Sequence, residues 1–357
     1  MNRDLLDLYS DYLISSTGAT TATGLSSMLG GMVSHDQITN FLSVRAQTAK
    51  DLWLVVKPIV RGLEQEDGIL IIDDSIEEKP YTDENAIVCW HYDHSKDRQV
   101  KGINFVSLLY QVAEVSLPIG FEIVAKTEYY TDKQTSKQKR RSPITKNEYY
   151  RQLVGQAAQN QVKFQYVVND SWFSAAENMM FVHDQLKKDF VMPVKCNRKV
   201  ALSSADKQNG KYVTVETLLW QEEQTREVQL EGVDFPLLLV RQVFTNEDGS
   251  YGVLYLVSSD TTLTYERITA IYRKRWKVEE YHRSLKQCAS LAKSPTRRVT
   301  TQVNHFFAAL CGYIKLEMLK VSTHLNHYAL KSRIYLQAIR SAFMELQSLN
   351  PIRFSST

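Results

Sequence analysis

Apolar residues in the first 60 or so positions recur at helical rather than strand spacing. GLSSML (24–29) precedes Gly30-Gly31 and then Ser34-His35-Asp36-Gln37. Ser34 with Gln37 three residues later fits a capping box, in which each side chain satisfies a backbone N–H at the start of a helix. A short helix, a glycine turn and a capped second helix predict a helix-turn-helix. Its second helix offers Gln37, Thr39 and Asn40, whose side chains can read base edges. A small helical bundle with no such role is the alternative.

From residue 68 the pattern changes to strands. GILIID (68–73) is an apolar run that ends in acids, and INFVSLLYQVA (103–113) and LPIGFEIVA (117–125) are strand-like. A polar loop follows, then a helical stretch at 148–161, the short strand FQYVVND (164–170), a helical segment at 174–189 and the strand FVMPVK (190–195). Residues 200–258 read as short strands and turns, with Asn246-Glu247-Asp248-Gly249 as a turn signal. A long helical stretch from about 264 to 290 comes next, then further helix to about 347. This order predicts an α/β domain with a β-rich insertion. The divisions expected are 1–64 (helical, DNA-binding), 65–199 (core, first part), 200–258 (β-rich insertion), 259–315 (core, second part) and 316–357 (C-terminal helical region).

Length and composition add little beyond an ordinary globular protein. The 357 residues are 43% hydrophobic, enough to bury a sizeable core. A net charge of +3 is too small to identify a partner, so any argument from charge is local. No window is long and apolar enough to span a membrane. The N-terminus, with Asp4 and Asp7, is unlike a secretory signal. Cys89, Cys196, Cys288 and Cys311 are widely spread with no C-x-x-C pair, as in a reduced cytoplasmic protein.

Two acids stand at the ends of separate apolar strands: Asp73 (or Asp74) and Asp170. A third, Glu279, lies on the helix after the insertion. Three carboxylates from distant elements can hold two hard divalent cations. Such a pair, about 3.5–4 Å apart, activates the attacking oxygen and stabilises the leaving one in phosphoryl transfer. Counted on a continuous helix, Tyr272, Arg275, Glu279 and Lys286 fall within roughly one 60° sector, whereas Glu280 is about 100° from Glu279. One face then offers a carboxylate for metal, with a guanidinium and an ammonium for phosphates. The alternative is a solvated Arg275–Glu279 ion pair at i, i+4.

Here a resemblance becomes specific. IYRKRWKVEEYHRSLKQ (271–287) reads Tyr-x2-Arg-x3-Glu-x6-Lys, and resembles the YREK signature of the insertion-sequence-four family of bacterial cut-and-paste transposases. IIDDS resembles that family's first-Asp strand, with Asp73 as the aligned acid and Ser75 as the following hydroxyl; NDSWF (169–173) resembles the second, with Phe173 as the aromatic three residues on. The resemblance covers about residues 65–315. It implies an RNase H-like catalytic core, with Asp73, Asp170 and Glu279 as both catalytic residues and metal ligands, and two Mg²⁺ ions for which Mn²⁺ can substitute. It further implies a homodimer that synapses the terminal inverted repeats of double-stranded DNA, cleaves them and joins them to target DNA. Tyr272, Arg275 and Lys286 would grip phosphates near the transposon end.

Local charge fits a DNA partner. KQTSKQKRR (133–141) carries five basic side chains and no acid, and reads as a flexible basic loop tracking a DNA backbone through Lys137, Lys139, Arg140 and Arg141. Between 271 and 298 nine Lys/Arg face Glu279 and Glu280, a local net charge of +7. Trp172 and Trp276 adjoin proposed catalytic residues, where each could stack on an unpaired base or belong to the core. His91 and His94 beside Cys89 have a spacing seen in zinc sites, and His282 lies one helical turn from Glu279. The rival readings are an RNase H-like nuclease without strand transfer, a non-catalytic DNA-binding relative, which would have lost an acid, and a glycosidase using paired carboxylates.

Overall fold

The computed structural model describes residues 2–94, 96–133, 136–245 and 248–349. Part of the basic run (134–135), half of the expected turn at 246–249 and the last residues of the C-terminal region (350–357) lie outside the described residues. The chain forms two compact units: residues up to Gln47 together with those from His282 onward, and Thr48–Tyr281.

Three helices open the first unit. Helix α1 (Arg3–Ser15) starts at Asn2, whose side chain accepts from the N–H groups of Asp4 and Leu5. Helix α2 (Ala22–Met28) is capped by Thr21. Gly30 and Gly31 then take φ of +60° and +80°, a left-handed turn that a Cβ would strain. Helix α3 (His35–Ser43) begins with the Ser34–Gln37 capping box, both bonds of which are present. It packs on α2 and buries Ile38 and Leu42.

The second unit begins with α4 (Ala49–Leu63), then β1 (Ile69–Glu78), β2 (Val88–Asp93), β3 (Arg98–Val112) and β4 (Val115–Ile123). After β5 (Glu128–Thr131) and β6 (Gln138–Arg141) come α5 (Lys146–Gln159), β7 (Tyr166–Asn169), α6 (Ala176–Met180) and β8 (Asp189–Val194). The insertion supplies β9 (Lys199–Ala201), α7 (Ser204–Gln208), β10 (Val213–Thr214), β11 (Thr225–Leu230), β12 (Leu237–Thr245) and β13 (Tyr251–Ser258), and α8 (Tyr265–Arg273) and α9 (Trp276–Gln287) follow.

One mixed sheet unites all of these strands but β5 and β6, in the order β10-β9-β11-β12-β13-β8-β7-β1-β3-β2, with β4 also on β3. β7 runs parallel to both β1 and β8, and the other pairings are antiparallel. Insertion strands therefore extend the central sheet, because β13 pairs with β8. Ile69–Ile72 are fully buried, as expected of a central strand covered on both faces. This is a mixed α/β architecture with a large central sheet, as the order of elements in the sequence predicts.

The elements depart from expectation in three places. The basic stretch is only partly a loop: its last four residues form β6, which pairs with β5 as a two-stranded ribbon. Its cations find local partners, Arg141 with Glu128 at 2.9 Å and Lys139 with Asp132 at 2.6 Å, and the Arg140 guanidinium lies 5.0 Å over Tyr129. The 264–290 helix is broken between α8 and α9. Lys274, Arg275, Lys277 and Val278 each donate to the carbonyl three residues back instead of four, so the chain tightens into 3₁₀-type turns. Within 211–220 only Val213 and Thr214 are strand, because the chain turns at Val215–Thr217.

Helices α10 (Val299–Thr323) and α11 (His327–Leu349) complete the first unit. α10 is buried along most of its length and packs on α1 and α3, where Asn304 accepts from the Gln47 N–H and donates to the carbonyls of Leu42 and Arg45. The distal part of α11 carries Leu336, Ile339, Phe343 and Leu346 exposed at 3-4-3 spacing. No helix among the described residues is long and apolar enough to cross a membrane.

Candidate active site

The sheet carries the two strand-end acids to one level. Parallel pairing matches Ile72 of β1 with Asn169 of β7, so Asp73 and Asp170 are the next residues on adjacent strands. There β7 stops. Asp170 caps a 3₁₀ turn, its Oδ1 accepting from the N–H groups of Trp172 (3.0 Å) and Phe173 (3.4 Å). β1 continues to Glu78 against β3 alone, which is why it outruns the apolar segment that marks it in the sequence.

Alternation along the strands separates the neighbouring acids. On the α5 side of the sheet, Asn169 accepts from Tyr150 Oη at 3.2 Å. On that side too, Asp74 accepts from Lys146 Nζ at 2.7 Å and from Asn104 Nδ2 at 2.9 Å. Asp73 lies one residue along β1, on the opposite face. Its cross-strand partner Ser107 shares a 3.1 Å hydrogen bond with Tyr281 of α9.

Helix α9 brings the third acid to that face. A carboxylate oxygen of Glu279 lies within 4.8 Å of one of Asp73. Arg275 occupies the joint between α8 and α9, where its Nη1 donates to Glu279 at 3.2 Å and stands 3.9 Å from Asp73. The i, i+4 ion pair weighed as an alternative is therefore present, and the same guanidinium also reaches a second carboxylate. It lies 6.0 Å from the ring centre of Tyr272 and 5.8 Å from that of Trp276. Tyr272, Arg275 and Glu279 thus come together across a helix break, not along one unbroken helix face. Lys286 follows Glu279 by seven residues on α9, about 20° away around the helix.

The electrostatics of this cluster suit a cation. Burial, with the charges of Asp170, Asp74 and Glu279, pushes the Asp73 carboxyl well above the usual carboxylate range, against the N–H that Asp74 donates to it at 2.8 Å. Asp170 is raised too, by burial and then by Asp74, against its two backbone donors and the charge of Arg275. Burial pushes the Tyr272 hydroxyl up to about 12. Mutually repelling carboxylates in a partly dry pocket are a donor set that hard divalent cations satisfy. Asp73, Asp170 and Glu279 therefore fit such ions.

Other expected residues take different places. Gln37 and Asn40 are exposed on α3 and line a cavity of about 410 Å³ with Asn2, Leu5 and Phe41. Lys137, Lys139 and Arg141 are exposed on or beside β6, and Arg140 is half-buried. Trp172 and Trp276 are both about half exposed, so neither belongs to the core. The possible zinc group does not assemble. The Cys89 thiol donates to the Asn85 carbonyl, and His91 is buried and pushed down to about 3 by burial and by Lys126 and Lys146. His94 instead packs edge-on against Tyr92 and at a tilt against Trp172, with ring centres 4.8 and 5.1 Å away. Sequence reasoning missed Lys146 and Asn104, which hold Asp74.

Two family models match the chain. That of a DDE superfamily endonuclease matches residues 1–212, and that of a transposase DDE domain matches residues 138–314. No curated protein matches it.

Proposed function

The chain belongs to the DDE superfamily of endonucleases, and from that premise we propose that it is a cut-and-paste transposase of the insertion-sequence-four type, acting on terminal inverted repeats through Asp73, Asp170 and Glu279. It is a metal-dependent, DNA-cleaving DDE transposase. The observation that carries the finer reading is the meeting of Asp73 with Glu279 around Arg275, with Asp170 at the matching rung of the next strand.

In this reading the three carboxylates hold two Mg²⁺ ions, with Mn²⁺ as a substitute. When bound, the ions supply an activated attacking oxygen and stabilise the leaving oxygen. The chain's own residues then do the positioning. Arg275 exchanges its carboxylate contacts for a phosphate, which its planar guanidinium grips with two parallel hydrogen bonds. Tyr272, its hydroxyl held neutral, borders the same guanidinium. Lys286, Lys137, Lys139, Arg140 and Arg141 contribute backbone affinity. Gln37 and Asn40 on α3 read bases of the inverted repeat. A homodimer synapses two ends, and the exposed Leu336, Ile339, Phe343 and Leu346, spaced as in a coiled-coil seam, support pairing of α11 with a second copy.

The test is cleavage of a labelled transposon end in Mg²⁺ and Mn²⁺. Asp73→Ala, Asp170→Ala and Glu279→Ala should each abolish cutting while gel shifts show end binding retained. Robust cutting by any one of them removes that residue from the site. Cleavage without joining of the freed 3′ end to target DNA would favour a nuclease without strand transfer.

A further inference from the structure

Four carboxylates crowd this end of the sheet, yet three suffice for the ions in the reading above. The fourth, Asp74, is covalently adjacent to Asp73, and its charge contributes to raising both Asp73 and Asp170. Alternation turns Asp74 to the α5 face, and a cation on that face would also keep divalent ions from being drawn to it.

Lys146 has that geometry. It is the first residue of α5, and the preceding Thr145 caps the helix with Glu148 in a capping box that fixes where the side chain starts. Its Nζ donates to Asp74 Oδ2 at 2.7 Å, and the same oxygen accepts from Asn104 Nδ2 at 2.9 Å. Asn104 is buried, and sits on β3 two residues from Val106, the partner of Asp74, so it shares the face of Asp74. The ammonium also lies 5.8 Å over the ring of Trp172, whose N–H holds Asp170. One cation thus spans the β1 acid and the turn that orients the β7 acid.

We propose that Lys146 is a positioning residue: with Asn104 it occupies the Asp74 carboxylate on the α5 side of the sheet, leaving divalent ions to Asp73, Asp170 and Glu279. The inference rests on the active-site reading above. Removing the ammonium would release Asp74 as a competing ligand. The chain would then bind a divalent ion more tightly but off register, and cleave more slowly. A lysine acting only through its charge would tighten metal binding whether or not position 74 is a carboxylate, so the role depends on Asp74 being present.

The experiment is calorimetric titration of the full-length protein with Mn²⁺, without DNA, alongside Mg²⁺-dependent cleavage. Lys146→Met and Lys146→Gln should bind Mn²⁺ about tenfold more tightly, the scale set by losing one unit charge several ångströms from the ions, while cleavage falls by a similar factor. Asp74→Asn alone should bind Mn²⁺ no more tightly than wild type and keep substantial cleavage. Lys146→Met/Asp74→Asn should bind like Asp74→Asn, and Lys146→Arg should recover both readouts. Unchanged Mn²⁺ affinity in Lys146→Met, or a double variant as tight as the single one, overturns the role of Lys146 while wild-type binding that depends on Asp73 leaves the active-site reading intact. A wild-type chain that takes up no divalent ion overturns both.

Discussion

The Arg275 guanidinium donates to the Glu279 carboxylate at 3.2 Å from the joint between α8 and α9. A helix continuing through 273–276 would hold Arg275 at a fixed angle to Glu279. The tightened turn, with its three-residue hydrogen bonds, instead places it within 3.9 Å of Asp73 as well. Arg275 is therefore a half-buried cation shared by two acids, ready to be exchanged for a phosphate.

Its replacement should be costly even by lysine, which offers a point charge in place of a planar fork. Losing a charge-assisted contact in a desolvated site costs on the order of 2–4 kcal/mol, roughly 30- to 1,000-fold in rate. Arg275→Lys should lose that much in cleavage with little change in end affinity, which other basic residues supply. Arg273, exposed in the last turn of α8, should tolerate alanine. Single-turnover cleavage and gel shifts on both variants decide this. Equal losses would reduce the segment to a generic basic surface.

The placing of Asp73 and Asp170 on adjacent strands was legible in the sequence because each follows an apolar run, and such a run marks a central strand. Two things were not. The break at Lys274–Arg275 has no glycine or proline to announce it, since it is a change of hydrogen-bond register within helix-forming residues. The Lys146–Asp74 contact joins positions 72 residues apart, and no local pattern encodes it. The β5–β6 ribbon was hidden for a related reason. A basic run reads as solvated loop until Glu128, Tyr129 and Asp132 on the partner side supply acids and rings for it.

Gln37 and Asn40 give a separate prediction about end recognition. Deleting the first 64 residues is a poor test, because α1 and α3 pack on α10 within one compact unit and their loss would strip buried surface from it. The exposed pair on α3 can be changed without that damage. Each base-edge contact contributes about 1–3 kcal/mol of discrimination. Gln37→Ala/Asn40→Ala should therefore lower preference for the transposon end over random DNA by roughly tenfold or more, with only a small fall in melting temperature from the capping-box bond that Gln37 makes to the Ser34 N–H. Competition gel shifts showing undiminished preference would leave α3 a packing helix only.

Asp73 lastly ties function to stability. An unfolded aspartate titrates near about 3.9, whereas burial and neighbouring acids hold the folded Asp73 carboxyl well above its ordinary value. Between those two pKa values the native state binds the extra proton. Stability is then highest below the unfolded value and falls as pH rises through the folded one. Above its folded pKa the metal-free protein carries an unfavourable buried charge at Asp73, only partly offset by Arg275 at 3.9 Å, and below it the protein keeps a proton that the unfolded chain would release. Asp73→Asn removes that charge and keeps the shape. Without metal at neutral pH the variant should melt higher, by roughly 2–4 °C for each kcal/mol relieved, and the gap should close toward pH 4. Mn²⁺ should raise the wild-type melting temperature, because it binds the native state alone, and should raise that of Asp73→Asn much less. Scanning calorimetry across pH, with and without Mn²⁺, reads all of these effects. A variant less stable than wild type at neutral pH without metal would mean that Arg275 and the Asp74 N–H more than compensate the buried carboxylate, and that Asp73 is held for structure and not kept in readiness for a cation.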